Sequence, residues 1–532
     1  MYLFIAKAHF RSIKIRTLPG LAFILSILVC LFAQAALAKG EVLAGGKSQA
    51  GTISFGLGWE PISFHPLRGL DSGSYYAQTL VYEGLVKYDS LLNIVPGLAK
   101  SFEVSKDGLT YSFEIREGLH FSDGNPITRD DVLASFNLLT SRNSPYKAEF
   151  ADVSRVETPG RNGLVFHLRK PLAPLLSRFV EMRILPARLL NATDLGKQAL
   201  ARTPISSGPF KLVSWRSGQE LVFSPNEYYW GNKPGYDKLV WRIVPDRSLL
   251  SVALVKGELD AAQVDPRSWR NFISKQSSGI ELDIFPGSRT IYLAFNLERK
   301  PFDNQLLRQA IAQCIDRQTI INKLYCGYAD MALSDFVKTG WAYDSGAKLW
   351  TYNRKRALEN LSSLGLKPGD LAFPILTSRD YQDLALVIAD DLRQAGFNCQ
   401  VQLTEFAALK QRYLKNGDFQ TVILSRSLGP DPECIINWHT GGSANFSKYS
   451  NSRLDELLEN GRQATSRQAR SKSYKQVQDI LALEVPWVFL VQPNLLIAHG
   501  PRVADIKRAG QDKTGLPWDN PFFNAVYWQL AK

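Results

Sequence analysis

Near residue 291 the periodicity of the chain changes, and that change limits the folds open to it. From Thr52 to about Ile291 the sequence reads mainly as strands with short helices. Residues 163–168 (GLVFHL), 211–215 (KLVSW) and 238–245 (KLVWRIVP) are strand-like. Residues 247–264 show helical spacing at Leu249, Leu250, Ala253 and Leu254, then a stop at Gly257 and extended chain. Beyond 291 the two periods alternate. Residues 304–325 form one helical pattern, 371–377 (LAFPILT) a strand, and 383–396 a helix with Leu384, Val387, Ile388, Leu392 and Ala395 on one face. Residues 397–403, 406–414 and 419–425 continue strand, helix, strand, which points to an α/β layer around a largely parallel sheet. Two amphipathic helices occupy 451–482, and strand-like runs return from Pro486.

One module within the first part is unusually well specified. Tyr111, Phe113 and Ile115 alternate with Ser112 and Glu114, the pattern of a half-buried strand. Glu117-Gly118 turns the chain, Leu119 and Phe121 resume the alternation, and Asp123-Gly124-Asn125-Pro126 turns it again. Thr128 then caps a helix whose first turn carries Asp130 and Asp131, where the helix dipole favours carboxylates. Val132, Leu133, Phe136 and Leu139 supply the apolar face. The two aspartates are helix-start electrostatics, not a catalytic pair.

The 532 residues exceed what one compact core accommodates, so two or three domains are expected. Lys7, Arg11, Lys14 and Arg16 precede an apolar run over 21–33 and the small-residue site Ala36-Leu37-Ala38. Residues 1–38 thus read as a secretory signal peptide, with an uncleaved anchor as the alternative, and 39–50 as a flexible lead. Removing the signal takes four basic residues and no acid, which leaves a formal charge of about +9. The densest basic cluster, Arg354-Lys355-Arg356, is a solvated helix face rather than a nucleic-acid site. Export permits disulfides among Cys314, Cys326, Cys399 and Cys434. Cys314 and Cys326, 12 residues apart, are the pair singled out.

Catalytic and metal-binding signatures are missing. His65, His120, His167, His439 and His499 are scattered, with no HExxH, GxSxG or P-loop pattern. Asp390 and Asp391 are adjacent on a helix and cannot converge on one substrate atom. No enzyme activity, metal or cofactor is expected, although a secreted hydrolase with a triad assembled across distance stays open.

Residues 108–136 (GLTYSFEIREGLHFSDGNPITRDDVLASF) closely resemble the signature segment of the large extracytoplasmic solute-binding proteins that serve ABC importers of the dipeptide, oligopeptide and nickel class. The resemblance continues in order along almost the whole mature chain, through QTLVYEGLVKYD, ILPARLL, PISSGPFKLVSW, SPNEYYWGNKPGYDKLVWRIVPD, IYLAFNLERKPFDNQLLRQAIAQCIDRQTI, GPDP and YSNSRLDELLENGRQA. It implies an α/β, two-lobed periplasmic-binding-protein fold of the large three-subdomain type, with mixed sheets and a hinge. Lobe I with a small β-rich subdomain would take 51–290, lobe II 291–496, and 497–532 would return to lobe I. The implied role is capture of a peptide between the lobes and delivery to membrane permease subunits, by a periplasmic monomer. A nickel chelate, opine, sugar or haem is the alternative cargo.

In peptide-binding relatives an Asp three residues before the Asp/Glu-Pro pair takes the peptide ammonium. Here that pair is Asp431-Pro432, and Leu428 stands in the place of the Asp. The resemblance therefore implies a ligand that presents no free ammonium to this loop, such as an N-blocked peptide, a modified amino acid or a neutral group. Trp59, Ser425, Arg426, Leu428, Asp431 and Trp438 are the candidate ligand-binding residues, with Arg426 placed to favour an anionic ligand and Trp438 to stack on it.

Overall fold

The computed structural model describes residues 50–89, 92–190, 200–276, 279–363, 365–504, 506 and 520–531. The expected signal peptide and most of the lead lie outside them. From the first described residues the chain runs β1 (Thr52–Leu57), a helix (Ser72–Val81), a small ribbon of β2 (Val86–Tyr88) and β3 (Ile94–Pro96), β4 (Ala99–Val104) and β5 (Thr110–Ile115). A helix (Arg129–Thr140), β6 (Val153–Glu157), β7 (Gly163–Leu168) and a helix (Leu175–Glu181) follow. Next come β8 (Phe210–Arg216), β9 (Glu220–Pro225), β10 (Lys238–Ile243), a helix (Arg247–Val255), β11 (Ala261–Gln263) and β12 (Glu281–Phe285). The second half contains β13 (Arg289–Phe295), β14 (Ala329–Met331), β15 (Ala372–Thr377), β16 (Asn398–Leu403), β17 (Thr421–Ser427) and β18 (Trp487–Pro493), with helices between them. β19 (Leu495–His499), β20 (Val503–Ala504) and β21 (Gln529–Leu530) end the chain.

These strands form two principal sheets. One has seven strands in the order β12-β19-β11-β1-β10-β9-β8, and the other six in the order β14-β18-β13-β17-β15-β16. A four-stranded sheet, β4-β5-β7-β6, makes a third layer. The six-stranded sheet is less parallel than the helix–strand alternation suggests. β15 runs parallel to β16 and β17, but β13 lies antiparallel to β17 and β18. The cause is connectivity: β13 enters this sheet from the seven-stranded one and β18 returns to it, so neither belongs to a strand–helix–strand crossover.

The chain passes between the two sheets twice, at 286–288 between β12 and β13 and at Asn494 between β18 and β19. The two crossings touch. A Cβ on Gly287 would stand 1.8 Å from the Pro493 carbonyl oxygen, so only glycine allows this approach.

Core packing follows the residue alternation. On β13, Ile291, Leu293 and Phe295 face one hydrophobic cluster while Tyr292 and Ala294 face another, so both sides of the six-stranded sheet are covered. On β5, Tyr111, Phe113 and Ile115 are buried, with Ser112 and Glu114 half-buried. The Thr128 cap also forms: Asp131 Oδ2 accepts from the Thr128 N–H at 2.7 Å and from its hydroxyl at 2.9 Å.

Two sequence expectations are corrected. The helical pattern over 304–325 is two helices, Gln305–Cys314 and Arg317–Leu324, because Asp316 caps the second by accepting from the Thr319 N–H at 3.0 Å. Cys314 and Cys326 are both free thiols. Cys314 is buried at the end of one helix, while Cys326 stands partly exposed beyond the end of the next. Cys314 is packed in the core, where burial pushes its thiol pKa up to about 12.

Candidate ligand-binding site

The site is built on the extended chain after the helix Leu175–Glu181. Met182 and Ile184 are fully buried in the cluster beside the four-stranded sheet. Extended chain alternates, so Glu181 and Arg183 turn to the other side. Hydrogen bonds fix this segment from two directions. The Leu185 N–H donates to Ser135 Oγ at 2.9 Å and the Ala187 N–H to Asp131 Oδ1 at 2.8 Å. The Ile184 N–H donates to the Glu83 carbonyl at 3.2 Å, and the Ser207 hydroxyl to the Ile184 carbonyl at 2.9 Å. Asp131 and Ser135 sit on the helix Arg129–Thr140, so the module singled out in the sequence holds this wall in place.

Glu181 and Arg183 line a cavity of about 440 Å³, within the roughly 300–1,000 Å³ usual for small-molecule sites. Tyr75, Thr79 and Tyr82 come from the helix Ser72–Val81 and its end, and Asn520, Phe522 and Tyr527 from the C-terminal segment. Gly84 lets the chain around Tyr82 approach, since a Cβ there would stand 2.4 Å from the Phe179 carbonyl oxygen. Pro430, in the loop after β17, is the one described lining residue from the other sheet's half. A smaller chamber of about 170 Å³ adjoins, sharing Tyr88, Leu92 and Pro430 and reaching Trp341, Asp431, Arg467 and Arg470.

Charges around the cavity differ in how far they are satisfied. Glu83 is buried; it accepts from Trp230 Nε1 at 2.7 Å and Tyr229 Oη at 3.1 Å and lies 3.5 Å from Lys87 Nζ. Burial raises its pKa, partly offset by Lys87 and the two donors. Arg183 is 8% exposed, with its guanidinium 5.4 Å from the Tyr75 ring centre. No carboxylate among the described residues forms an ion pair with it. The Tyr82 hydroxyl, on a side chain 2% exposed, has no hydrogen-bond partner among them. Burial raises the Tyr82 phenol's pKa and the nearby Arg183 charge opposes that, so the hydroxyl is a donor.

The two halves meet beside the cavity. Arg178 contacts Glu433 at 3.1 Å from across the gap, together with Glu149 at 3.0 Å and Glu181 at 3.7 Å on its own side. Burial works against the Arg178 charge, but Glu181, Glu149 and Glu433 outweigh it and hold its pKa above the ordinary value. The Ala173 N–H donates to the Arg462 carbonyl at 2.9 Å, and Arg467 Nη1 to Asn93 Oδ1 at 3.1 Å.

The candidate residues from the sequence fall in different places. Asp431 lines the smaller chamber, but Arg470 engages both its oxygens at 2.6 Å. Leu428 is 3% exposed and packs in the core of the second half. Arg426 does not present a free guanidinium, because it contacts the fully buried Asp335 at 2.6 Å. Trp438 is fully buried against Trp487, with ring centres 4.2 Å apart, and its Nε1 donates to Asp335 at 2.9 Å. It is core packing and not a stacking surface. Ser425 Oγ accepts from Tyr381 Oη at 2.6 Å. Trp59 is 41% exposed and lines neither chamber. The adjoining Glu60 is engaged by Trp215 Nε1 at 2.6 Å and Ser217 Oγ at 2.8 Å.

Sequence reasoning missed Tyr75, Tyr82, Glu181 and Arg183. A signal was present: Glu181 and Arg183 interrupt the apolar run FVEMRIL, and charge on alternate residues of such a run marks a strand facing a cavity or solvent.

The chain is similar to characterised proteins over most of its length. It is 26% identical over 518 residues to the oligopeptide-binding protein AppA of Bacillus subtilis (strain 168), covering 92% of this chain and 93% of that one. It is 28% identical over 492 residues to the dipeptide-binding protein of Escherichia coli (strain K12), covering 85% and 90%. The solved structure of Bacillus subtilis AppA in complex with a nonapeptide superposes with a TM-score of 0.77 at 25% identity, over 92% of this chain and all of that one. Residues 93–447 match the bacterial extracellular solute-binding proteins, family 5 (middle), and the chain belongs to that family.

Proposed function

We propose that the protein is the extracytoplasmic solute-binding component of an ABC importer and that its cargo is a short peptide. The observation that carries this reading is the cavity of about 440 Å³ walled by one half of the molecule and closed by Pro430 of the other. A ligand that touches both halves stabilises the closed arrangement, and the closed form docks on permease subunits in the membrane. In this reading lobe I is 51–290 with 497–532, lobe II is 291–496, and the crossings at 286–288 and Asn494 are the hinge. The protein acts as a monomer in the periplasm after export and performs no chemistry on its cargo. Peptide fits the names of both relatives, and the cavity suits a ligand of a few residues.

The test is incubation with a dipeptide and tripeptide panel, read by thermal unfolding and by mass spectrometry of the recovered peptides. At 100 times Kd a ligand should add about 2.7 kcal/mol of stability, and every peptide should be recovered intact. Turnover of any peptide would establish a hydrolase instead.

A further inference from the structure

Glu181 and Arg183 place opposite charges on one cavity wall, two residues apart. Extended chain advances about 3.3 Å per residue, so their Cα atoms are about 6–7 Å apart. Each has unspent capacity. Arg183 is buried without a paired carboxylate among the described residues, and beside it the Tyr82 hydroxyl, itself 2% exposed, lacks an acceptor. Arg183 has the Tyr75 hydroxyl as a hydrogen-bond partner, but that group is neutral, so the Arg183 charge and the neighbouring Tyr82 donor still lack a counter-charge, and the missing partner is an anion.

At the other end, Arg178 is shared among Glu149, Glu181 and Glu433, and Arg462 adds a contact to Glu433 at 3.9 Å. Two guanidiniums face three carboxylates, which leaves a surplus negative charge. Glu181 is the farthest of the three from Arg178 and the most open, with its side chain 38% exposed. Its Oε1 reaches the opposite half, 4.0 Å from where a Cβ on Gly429 would begin. Glycine there keeps the space beside this oxygen free. The remaining charges of the cavity are engaged: Glu83 with Lys87, and Asp89 with the Asn93 N–H at 2.8 Å. The loop facing Glu181 has its own carboxylates engaged, Asp431 by Arg470 and Glu433 by Arg178 and Arg462.

We propose that this wall is a zwitterion subsite, in which Arg183 and the Tyr82 hydroxyl take the ligand's carboxylate and Glu181 takes its ammonium, beneath Gly429 and Pro430. The inference rests on the solute-binding reading above and names the ligand class as single amino acids or short peptides with both termini free. Both charges are thereby bound by the first half of the molecule, and the second supplies a neutral cover.

The test is calorimetric titration of wild type, Glu181→Gln, Arg183→Gln, Tyr82→Phe and Gly429→Val. The probes are amino acids and dipeptides in free, N-acetylated and C-amidated forms. Wild type should bind free forms and lose at least tenfold on either block. Glu181→Gln should remove the penalty for acetylation and keep that for amidation, and Arg183→Gln should do the reverse. Tyr82→Phe, nearly isosteric, should weaken free forms severalfold and leave C-amidated forms unchanged. Gly429→Val should weaken forms with a free ammonium most. Blocked forms that bind wild type as well as free ones would overturn the subsite and leave the importer reading standing. A Glu181→Gln protein that retains the acetylation penalty would overturn the ammonium assignment. Binding of no probe in any form would overturn both the subsite and the peptide reading.

Discussion

Asp335 is fully buried, and one of its oxygens accepts from both Arg426 and Trp438. Burial raises its pKa, against which the Arg426 charge and the Trp438 donor work. The pair ties the end of β17 to the core of the second half, which is why Arg426 has no capacity left for a ligand. Replacing Arg426 with Met would leave a buried carboxylate without its cation. The expected cost is about 3–5 kcal/mol, read as a lower urea midpoint, while Arg426→Met, Asp335→Asn together should recover part of it. If Arg426→Met unfolded at the wild-type midpoint but lost ligand affinity, Arg426 would be a binding residue after all. From the sequence alone, an Arg on a loop at a strand's carboxyl end looked available. Its partner stands 91 residues earlier, and no local pattern announces an ion pair of that range.

At the scale of elements, the strand–turn–helix module around residues 111–136 acts through its helix. Asp131 closes the Thr128 capping box with one oxygen and holds the Ala187 N–H with the other, and Ser135 holds Leu185. Asp131→Ala should therefore lower ligand affinity although Asp131 does not line the cavity, because the segment bearing Arg183 loses an anchor. Thr128→Ala should cost about 1 kcal/mol of stability with little change in affinity. Calorimetry beside thermal unfolding separates the two effects, and equal affinity losses in both variants would contradict this division of labour.

This module was legible because its information is local: alternation at Tyr111, Phe113 and Ile115, glycine turns and a capping residue. The strands at 163–168, 372–377 and 421–427 were legible for the same reason. The antiparallel placement of β13 and β18 was not, since strand direction within a sheet depends on where the chain crosses between halves. The break at Ile315-Asp316 was hidden because an N-cap aspartate inside a continuing apolar period looks like an ordinary exposed helix residue. The site itself was the least legible part. Its wall joins residues near 75–83, 181–183 and 520–527, which only the fold brings together.

For the whole molecule, the account is of two halves joined at two touching crossings and latched by Arg178 to Glu433. The arrangement is closed: contacts cross the gap at Arg178, at the Ala173 N–H and at Arg467. Among the described residues no helix is long and apolar enough to cross a membrane. Closure on a solute makes the overall dimensions depend on ligand, and the latch adds to it. The most direct measurement is small-angle X-ray scattering of wild type and Arg178→Gln, each alone and with the dipeptide that stabilises wild type most. The account predicts that ligand lowers the radius of gyration of wild type. It also predicts that Arg178→Gln, with Glu149, Glu181 and Glu433 left to repel one another, is more open and needs about tenfold more ligand (about 1.4 kcal/mol) to close. A radius of gyration that is the same with and without ligand in both proteins would contradict it.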